Sequence, residues 1–194
     1  MTKFFFFSNL KNMNIEALVD LLHHGQMRKT GEPYTSHLYA VRNILIEEGI
    51  NDKAILESAL LHDTLEDSDI TREYLSLWFG NQVAGIVEAV TKSPSWNTSY
   101  CRMKSNLSEM QLAWIKYPEA ILVKMADRLH NLRTIQGLPP HKWPLYLEET
   151  KTHLLPLFSQ IMNNRLVRCL SFLAVMESLL SKLQQEIKKI EKSF

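Results

Sequence analysis

The stretch ILVKMADRLHNLR, residues 121–133, decides the fold class of this chain. Its apolar residues recur at intervals of three and four, the spacing of one face of an α-helix; they are Ile121, Leu122, Met125, Leu129 and Leu132. Asp127 and Asn131 are four residues apart and share a face. A carboxylate beside apolar residues must be paired or bind a metal ion when it is buried. The stretch therefore predicts a helix that carries a candidate metal ligand.

Helical spacing of apolar residues continues through almost the whole chain, without a convincing run of period-two alternation or an internal repeat. The predicted fold class is therefore all-α, a helical bundle of about eight or more helices. The helix of residues 121–133 is predicted to begin at Pro118 and to end near Gln136, before Gly137. Other helices are predicted to begin at short polar capping residues: Asn14, Ser36, Asn51 and Thr71, the last opening a helix that Gly80 stops.

Two further helices are predicted near the C-terminus, one after Pro144 and a long one after Asn164. The long helix carries a stripe of apolar residues spaced alternately by three and four: Leu166, Leu170, Leu173, Met176, Leu180, Leu183, Ile187 and Ile190. The first half of the stripe is expected to pack on the protein's own core. For the half after Met176, the protein's own core and a partner subunit in a homodimer both stay open.

The composition is that of a soluble globular protein with room for one sizeable core, since 45% of 194 residues are hydrophobic and 22% are charged. The net charge of +1 gives no overall field that would attract nucleic acid or an anionic membrane. The two cysteines, Cys101 and Cys169, are far apart and are expected to be free thiols. The apolar runs at 4–7 and 169–176 are too short for a signal peptide or a membrane span. A cytoplasmic location is expected.

Acidic residues crowd a second helical segment, where Glu66 and Asp67 follow the dipeptide His62-Asp63. On a helix, Asp63, Glu66 and Asp67 stand at i, i+3 and i+4 and share one face. Like charges at this spacing repel each other unless a cation neutralises them. A solvated acidic face is the alternative for this segment taken alone.

Two imidazoles and two carboxylates make up a candidate ligand set: His37, His62, Asp63 and Asp127. This nitrogen–oxygen set suits Mn²⁺, Fe²⁺, Co²⁺ or Zn²⁺ and is too rich in nitrogen for Mg²⁺ or Ca²⁺. Four protein ligands leave an ion of higher coordination number with positions for water and a phosphate oxygen.

Several segments, in order between about residues 18 and 135, resemble the hydrolase domain of RelA/SpoT-type alarmone enzymes. They are HHGQMRKTGEPY at 23–34, followed by Ser36-His37, then ALLHDTLED at 59–67, Phe79-Gly80, Val90-Thr91-Lys92 and KMADRLHNLR at 124–133. The His…His-Asp…Asp signature belongs to the wide HD superfamily, whereas the Gly-Gln-x-Arg-Lys-x-Gly-Glu-Pro-Tyr string is more specific. The length of the chain favours a likeness to the single-domain small alarmone hydrolases, such as the metazoan SpoT homologues.

The resemblance implies that the chain hydrolyses ppGpp or pppGpp to GDP or GTP and pyrophosphate in a metal-dependent reaction. It implies that His37, His62, Asp63 and Asp127 bind Mn²⁺, and that Glu66 and Asp67 position and deprotonate the attacking water. Residues 1–160 would form the phosphohydrolase domain, and residues 161–194 a C-terminal amphipathic helix. The residues implied to bind the substrate are Arg28, Lys29, Tyr34, Lys92, Arg128 and Asn131.

Two alternatives stay open. The first is an HD phosphatase that acts on NADPH or on other phosphorylated nucleotides, because the basic string would hold a 2′-phosphate as well. The second is a non-catalytic HD module that senses a nucleotide or acts as an antitoxin-like partner; the repelling carboxylates Glu66 and Asp67 disfavour it. The chain departs from the family at Leu38, where proline is common. The predicted loop at 93–108 and the residues after Pro140 match no segment of the family.

Overall fold

The computed structural model describes residues 13–91, 111–165, 167 and 171–193. These residues are helical apart from connecting turns and one isolated β-bridge between Met27 and Pro33. The all-α prediction is thus confirmed. The α-helices are α1 (Ile15–Leu22), α2 (Thr35–Glu47), α3 (Lys53–Leu61), α4 (Thr64–Asp67), α5 (Arg72–Val90), α6 (Glu119–Arg133), α7 (Trp143–Glu149), α8 (Leu155–Met162) and α9 (Leu173–Glu191). Residues 111–116 are helical as well.

Side-chain caps begin α1 and α3, and two helix starts differ from the sequence prediction. Asn14 caps α1 as predicted, because its side chain accepts the backbone N–H of Glu16 at 2.9 Å. Ser36 lies inside α2, which begins at Thr35, and its hydroxyl donates to the Glu32 carboxylate at 3.1 Å. Asp52, not Asn51, caps α3 by accepting the N–H of Ile55 at 3.1 Å. Neighbouring polar residues compete for each cap, and the sequence pattern alone does not decide between them.

Gly80 bends α5 rather than ending it. Its backbone has φ +88° and ψ 166°, so it interrupts the helical conformation while the chain continues as helix to Val90. This region of backbone space is almost confined to glycine. The bend separates an N-terminal half of α5 from a C-terminal half in which Val83, Ile86 and Val87 are buried.

Helix α6 lies at the centre of the larger of two apolar clusters, and nearly every residue from Ala120 to Leu129 is buried. It contacts α2, α5 and, most extensively, α9. A smaller cluster joins α1, α2, α3 and both halves of α5, and includes Val19, Leu61 and Leu75. Helix α6 also contacts α3, and it places Asp127 in the interior.

The C-terminal helix α9 packs on α6, and its buried residues extend through both of its halves. Met176, Leu183, Ile187 and Ile190 are buried in the same cluster as α6. The helix begins at Leu173, later than predicted. The apolar stripe after Met176 thus lies on the chain's own core, and a contact with a second copy would have to use other faces of α9.

The segment between α7 and α8 is continuous helix with one wide turn at Thr150–Leu154, so Pro144 lies within the first turn of α7 rather than before it. No helix among the described residues is long and apolar enough to cross a membrane. The predictions for residues 4–7, Lys92, the loop at 93–108, Cys101 and Cys169 lie outside the described residues.

Candidate metal centre and its pocket

Three helices bring the predicted ligands together. His37 projects from the first turn of α2, His62 and Asp63 join α3 to α4, and Asp127 lies in the middle of α6. His62 Nε2 lies 3.1 Å from Asp63 Oδ2 and 3.9 Å from Asp127 Oδ1. His37 Nε2 lies 3.2 Å from Asp127 Oδ1 and 3.9 Å from Asp63 Oδ2. Ligand atoms of His37, His62 and Asp63 all lie within 4.8 Å of one another.

The protonation of His62 suits a metal ligand. Its Nδ1 lies 2.8 Å from the carbonyl oxygen of Ala59, which can only accept, so Nδ1 carries the proton. Its Nε2 is buried and has no hydrogen-bond partner among the described residues. In the neutral ring, Nε2 would therefore direct its lone pair at the carboxylates, an arrangement that a divalent cation between them would satisfy. The donor set and this unpartnered atom both fit a transition-metal ion.

The charges of the ligands explain why a cation belongs at this position. Burial lowers the pKa of His62, but the carboxylates of Asp63 and Asp127 outweigh burial and raise that pKa to about 9. Without a metal ion the cluster thus draws a proton onto His62. A bound divalent ion would balance the same carboxylates and leave the imidazole neutral.

A hydrogen bond from Tyr34 fixes the carboxylate of Asp63. The Tyr34 hydroxyl donates to Asp63 Oδ2 at 2.6 Å. Burial, together with the Asp63 charge, raises the pKa of Tyr34, so the hydroxyl keeps the proton that it donates. Burial also raises the pKa of Asp63, but the positive charge of protonated His62 outweighs burial. The net pKa of Asp63 is below its usual range. Asp63 therefore remains anionic, as a metal ligand would have to be.

Two side chains from the same helix fix Asp127. Lys124 Nζ donates to Oδ2 at 3.0 Å, and Asn131 Nδ2 donates to Oδ1 at 2.5 Å. Burial raises the pKa of Asp127, but the Lys124 ammonium, and after it the nearby imidazoles of His37 and His62, outweigh burial, and the net pKa is well below its usual range. Lys124 is itself 92% shielded from solvent, being 8% exposed, and belongs to the site as the cation that neutralises this carboxylate.

His130 holds the ring of His37 from the side opposite the ligands. The two Nδ1 atoms lie 2.8 Å apart, and the ring centroids lie 4.9 Å apart. Burial, and after it the nearby charges of His37 and Arg28, lower the pKa of His130 to about 4. His130 is thus neutral at neutral pH.

A tight loop between α1 and α2 places Arg28 beside this centre. The backbone N–H of Arg28 donates to the Glu32 carbonyl at 2.8 Å, and the backbone N–H of Tyr34 donates to the Gln26 carbonyl at 3.0 Å. These two bonds close the loop in the manner of a hairpin. Arg28 Nη2 donates to Asn131 Oδ1 at 3.0 Å and to Thr134 Oγ1 at 3.1 Å. The guanidinium plane is therefore held in one orientation, linked through Asn131 to the ligand Asp127.

Gly137 lets the loop approach the end of α6. A Cβ atom at Gly137 would lie 2.5 Å from the methyl group of Thr30, closer than real Cβ atoms approach. The glycine thus permits the contact that brings Arg28 and Lys29 to the site.

These groups line one pocket of about 600 Å³, a volume ordinary for a small-molecule site. The pocket brings together every predicted site residue that the structure describes except His62. His62 is buried and contacts Asp63, which does line the pocket. Glu66, Asp67 and Lys29 are exposed at its edge. Arg128 lies at the far wall, where its guanidinium carbon is 4.3 Å from the Tyr146 ring centre and Nη2 is 3.4 Å from Glu149 Oε1.

Sequence reasoning gave no site role to several residues that line the pocket or contact a predicted ligand, among them Lys124, His130, Thr134, Tyr146 and Glu149. The first three stand three residues before, three after and seven after Asp127, positions that share its helical face. That spacing could have identified them. Tyr146 and Glu149 follow Pro140 and carry no comparable pattern.

Comparisons with known proteins match residues 17–166 to the HD domain family. A Synechocystis protein named as a probable guanosine-3′,5′-bis(diphosphate) 3′-pyrophosphohydrolase is 41% identical over 142 residues, which cover 72% of this chain and 19% of that protein. A Mycobacterium leprae protein named as a probable GTP pyrophosphokinase is 40% identical over 140 residues, which cover 72% of this chain and 18% of that protein. This chain spans about a fifth of the length of these curated relatives.

Two solved structures are similar to this one. The structure of a metazoan SpoT orthologue, described as hydrolysing ppGpp and acting in starvation responses, aligns with a TM-score of 0.71 at 27% identity and covers 92% of this chain and 94% of its own. A Listeria monocytogenes structure aligns with a TM-score of 0.51 at 21% identity over 81% of this chain and 99% of its own, a likeness of fold alone.

Proposed function

We propose, since this chain belongs to the HD domain family, that it is a metal-dependent phosphohydrolase that removes pyrophosphate from the 3′ position of ppGpp and pppGpp. The observation that carries the proposal is the convergence of His37, His62, Asp63 and Asp127 beneath the loop that holds Arg28. The names of the Synechocystis relative and of the metazoan SpoT orthologue support the choice of substrate.

The four ligands would hold a divalent ion, which we propose to be Mn²⁺. When bound, such an ion would polarise the phosphoryl group and make a nearby water more acidic. The chain's own contribution is to keep the ligands in place: Tyr34 holds Asp63, Asn131 and Lys124 hold Asp127, and the Ala59 carbonyl holds His62.

In the proposed reaction, a water oxygen attacks the phosphorus joined to the 3′ oxygen of the nucleotide. The bond between that phosphorus and the 3′ oxygen breaks, and the products are GDP or GTP and pyrophosphate. Glu66 and Asp67 are the carboxylates at the pocket edge that would orient the water and accept its proton. The 3′ oxygen takes up a proton as it leaves.

The basic residues of the loop would bind the anionic substrate. The Arg28 guanidinium, fixed by Asn131 and Thr134, offers a flat surface to a base or paired donors to a phosphate. Exposed Lys29 offers a compact charge at the same edge. Arg128 would bind substrate at the far wall, and Lys92 is proposed to contact the substrate as the family resemblance implies.

The decisive experiment is turnover of ppGpp by the purified chain with Mn²⁺ or with a chelator, with the products separated by anion exchange. GDP and pyrophosphate are expected with Mn²⁺ and not with the chelator. Asp63→Ala should lose both Mn²⁺ and turnover, whereas Glu47→Ala, an exposed carboxylate outside the pocket, should keep both. Turnover and metal content retained in Asp63→Ala would contradict the proposal.

NADPH and GTP are tested beside ppGpp in the same assay. Preferred release of the 2′-phosphate from NADPH would favour the alternative of an HD phosphatase that acts on NADPH. The proposed metal centre would be unaffected by that result. Mn²⁺ binding without turnover of any nucleotide would favour the non-catalytic module.

A homodimer through α9 and a cytoplasmic location stay predictions from the sequence. The mass of the chain by light scattering tests the first, and cell fractionation tests the second.

A further inference from the structure

The contact between His130 and His37 assigns a role to a residue outside the proposed ligand set. We infer that His130 is a positioning residue, whose Nδ1 accepts the hydrogen bond that keeps the proton of His37 on Nδ1 and its Nε2 free for the metal ion. The inference rests on the proposed metal centre, and it concerns how the free protein is prepared for metal rather than the reaction itself.

The geometry restricts the His37 ring from two sides. His37 is 2% exposed, and its Nδ1 lies 2.8 Å from Nδ1 of half-buried His130. On the other edge of the ring, Nε2 lies 3.2 Å from Asp127 Oδ1. Each ring nitrogen of His37 thus has one close polar neighbour.

A neutral imidazole carries one proton, and two acceptors compete for it on His37. With the proton on Nε2, His37 would donate to Asp127, and its Nε2 lone pair would be lost to the metal. With the proton on Nδ1, it donates to His130, and Nε2 is left as a ligand. An acceptor at the position of His130 Nδ1 therefore favours the metal-binding tautomer against the pull of a carboxylate.

The second histidine ligand has a counterpart of this arrangement. The carbonyl of Ala59 accepts from Nδ1 of His62 at 2.8 Å, which leaves His62 Nε2 as a ligand. For His62 the acceptor is main chain and cannot be removed by substitution, whereas for His37 it is a side chain. His130 follows Asp127 by three residues. One turn of α6 thus supplies both the proposed ligand Asp127 and the group that orients the proposed ligand His37.

The test compares two amides at position 130. Asparagine places its carbonyl oxygen where Nδ1 of histidine lies, one bond from Cγ, whereas glutamine places it near Nε2. His130→Asn should bind Mn²⁺ within about threefold of the wild type. His130→Gln and His130→Leu should bind it about 10- to 100-fold more weakly, the usual cost of losing a group that orients a metal-bound histidine.

Binding is measured by isothermal titration with Mn²⁺ alone, without nucleotide, so that the result does not depend on the substrate or on turnover. His24→Leu, which changes an exposed histidine outside the pocket, is the control and should bind like the wild type. Nitrogen-15 chemical shifts of the metal-free proteins give a second measurement. They should show His37 protonated on Nδ1 in the wild type and His130→Asn, and on Nε2 in His130→Gln and His130→Leu.

Each outcome decides between a hydrogen bond and mere packing. Equal affinity in all three variants, or an asparagine variant as weak as the glutamine variant, would overturn the inference, as would an unchanged His37 tautomer. Because the two amides are both polar and differ by one methylene, their comparison stands even if His130→Leu does not fold. A wild type that binds no divalent ion would overturn the metal centre itself, whereas correct ranking without ppGpp turnover would contradict only the proposed substrate.

Discussion

Lys124 is the residue whose charge makes a buried Asp127 tolerable in the free protein. Its ammonium lies 3.0 Å from Asp127 Oδ2, and both groups are almost fully shielded from solvent. Removing one partner of a buried pair leaves the other uncompensated, which costs about 3–5 kcal/mol. A divalent ion beside Asp127 would replace part of that compensation.

We therefore predict that Lys124→Met lowers the free energy of unfolding of the metal-free protein by about 3 kcal/mol and that of the Mn²⁺-loaded protein by less. Urea unfolding with chelator and with excess Mn²⁺ measures both values. Lys116→Met, which changes an exposed lysine, is the control and should have little effect. An equal loss in both conditions would show that Lys124 acts only through packing.

Arg28 should serve the nucleotide rather than the metal. Its guanidinium is held by two acceptors, Asn131 Oδ1 and Thr134 Oγ1, a geometry that a lysine ammonium cannot reproduce. We predict that Arg28→Lys raises KM for ppGpp about tenfold, equivalent to about 1.4 kcal/mol, and leaves Mn²⁺ affinity within about twofold. Steady-state kinetics and metal titration separate the two effects. A loss of metal affinity equal to the rise in KM would instead assign Arg28 to the support of Asp127 through Asn131.

The four proposed ligand residues could be picked out in the sequence because each stands in a short pattern: a His-Asp pair, an Asp on an apolar helix, a His at a helix start. The groups that hold them could not be predicted as easily. Tyr34 and Asp63 are 29 residues apart, and His37 and His130 are 93 apart. Such contacts depend on how α2, α3 and α6 pack against one another. A short sequence pattern does not predict that packing.

At the scale of helices, the bend of α5 depends on one glycine. Gly80 has φ +88°, and no atom lies within 4 Å of a Cβ placed on it, so an alanine there would meet backbone strain without a steric clash. We predict that Gly80→Ala lowers the free energy of unfolding by about 1–3 kcal/mol. Leu77→Ala, at a side chain that is 63% exposed on the same helix, should change it by less than about 0.5 kcal/mol. Thermal unfolding of the two variants checks the prediction, and equal melting temperatures would contradict it.

Helix positions were predictable to within a residue or two where apolar spacing and a cap coincide, as at Asn14 and Thr71. Predictions from single capping residues were less accurate, because Thr35 begins α2 ahead of Ser36 and Asp52 caps α3 in place of Asn51. The stripe of α9 was visible in the sequence, but its partner was not. Periodicity shows that a face is buried, and the three-dimensional packing decides what buries it.

The packing of α9 on α6 gives a prediction that separates a single chain from a dimer. Leu183 is fully buried in the cluster that contains α6, so Leu183→Ala should lower the free energy of unfolding by about 2–5 kcal/mol. The loss should be the same at low and high protein concentration, because the contact lies within one chain. Half-buried Leu180→Ala should cost less. A melting temperature of the wild type that rises with concentration, and a loss in Leu183→Ala that disappears on dilution, would indicate a subunit interface instead.

At the scale of the whole molecule, the proposed metal centre joins helices from separate parts of the chain. His37 from α2, His62 from α3 and Asp127 from α6 surround one position, while Tyr146 and Glu149 of α7 close the far wall of the pocket. The carboxylates of this centre repel one another in the free protein. An ion that binds all of these helices at once should therefore stabilise the folded chain as a unit, because the unfolded chain presents no such arrangement.

Mn²⁺ should accordingly raise the melting temperature of the whole chain. At a free concentration about 100 times its dissociation constant, the ion stabilises the fold by about 2.7 kcal/mol. For a chain of this size that corresponds to a rise of about 5–10 °C. Differential scanning calorimetry with chelator and with increasing Mn²⁺ measures the rise, which should grow with the logarithm of the ion concentration. Asp63→Ala should show almost no rise, while Glu47→Ala should match the wild type. A rise that persists in Asp63→Ala would place the stabilising ion elsewhere on the molecule.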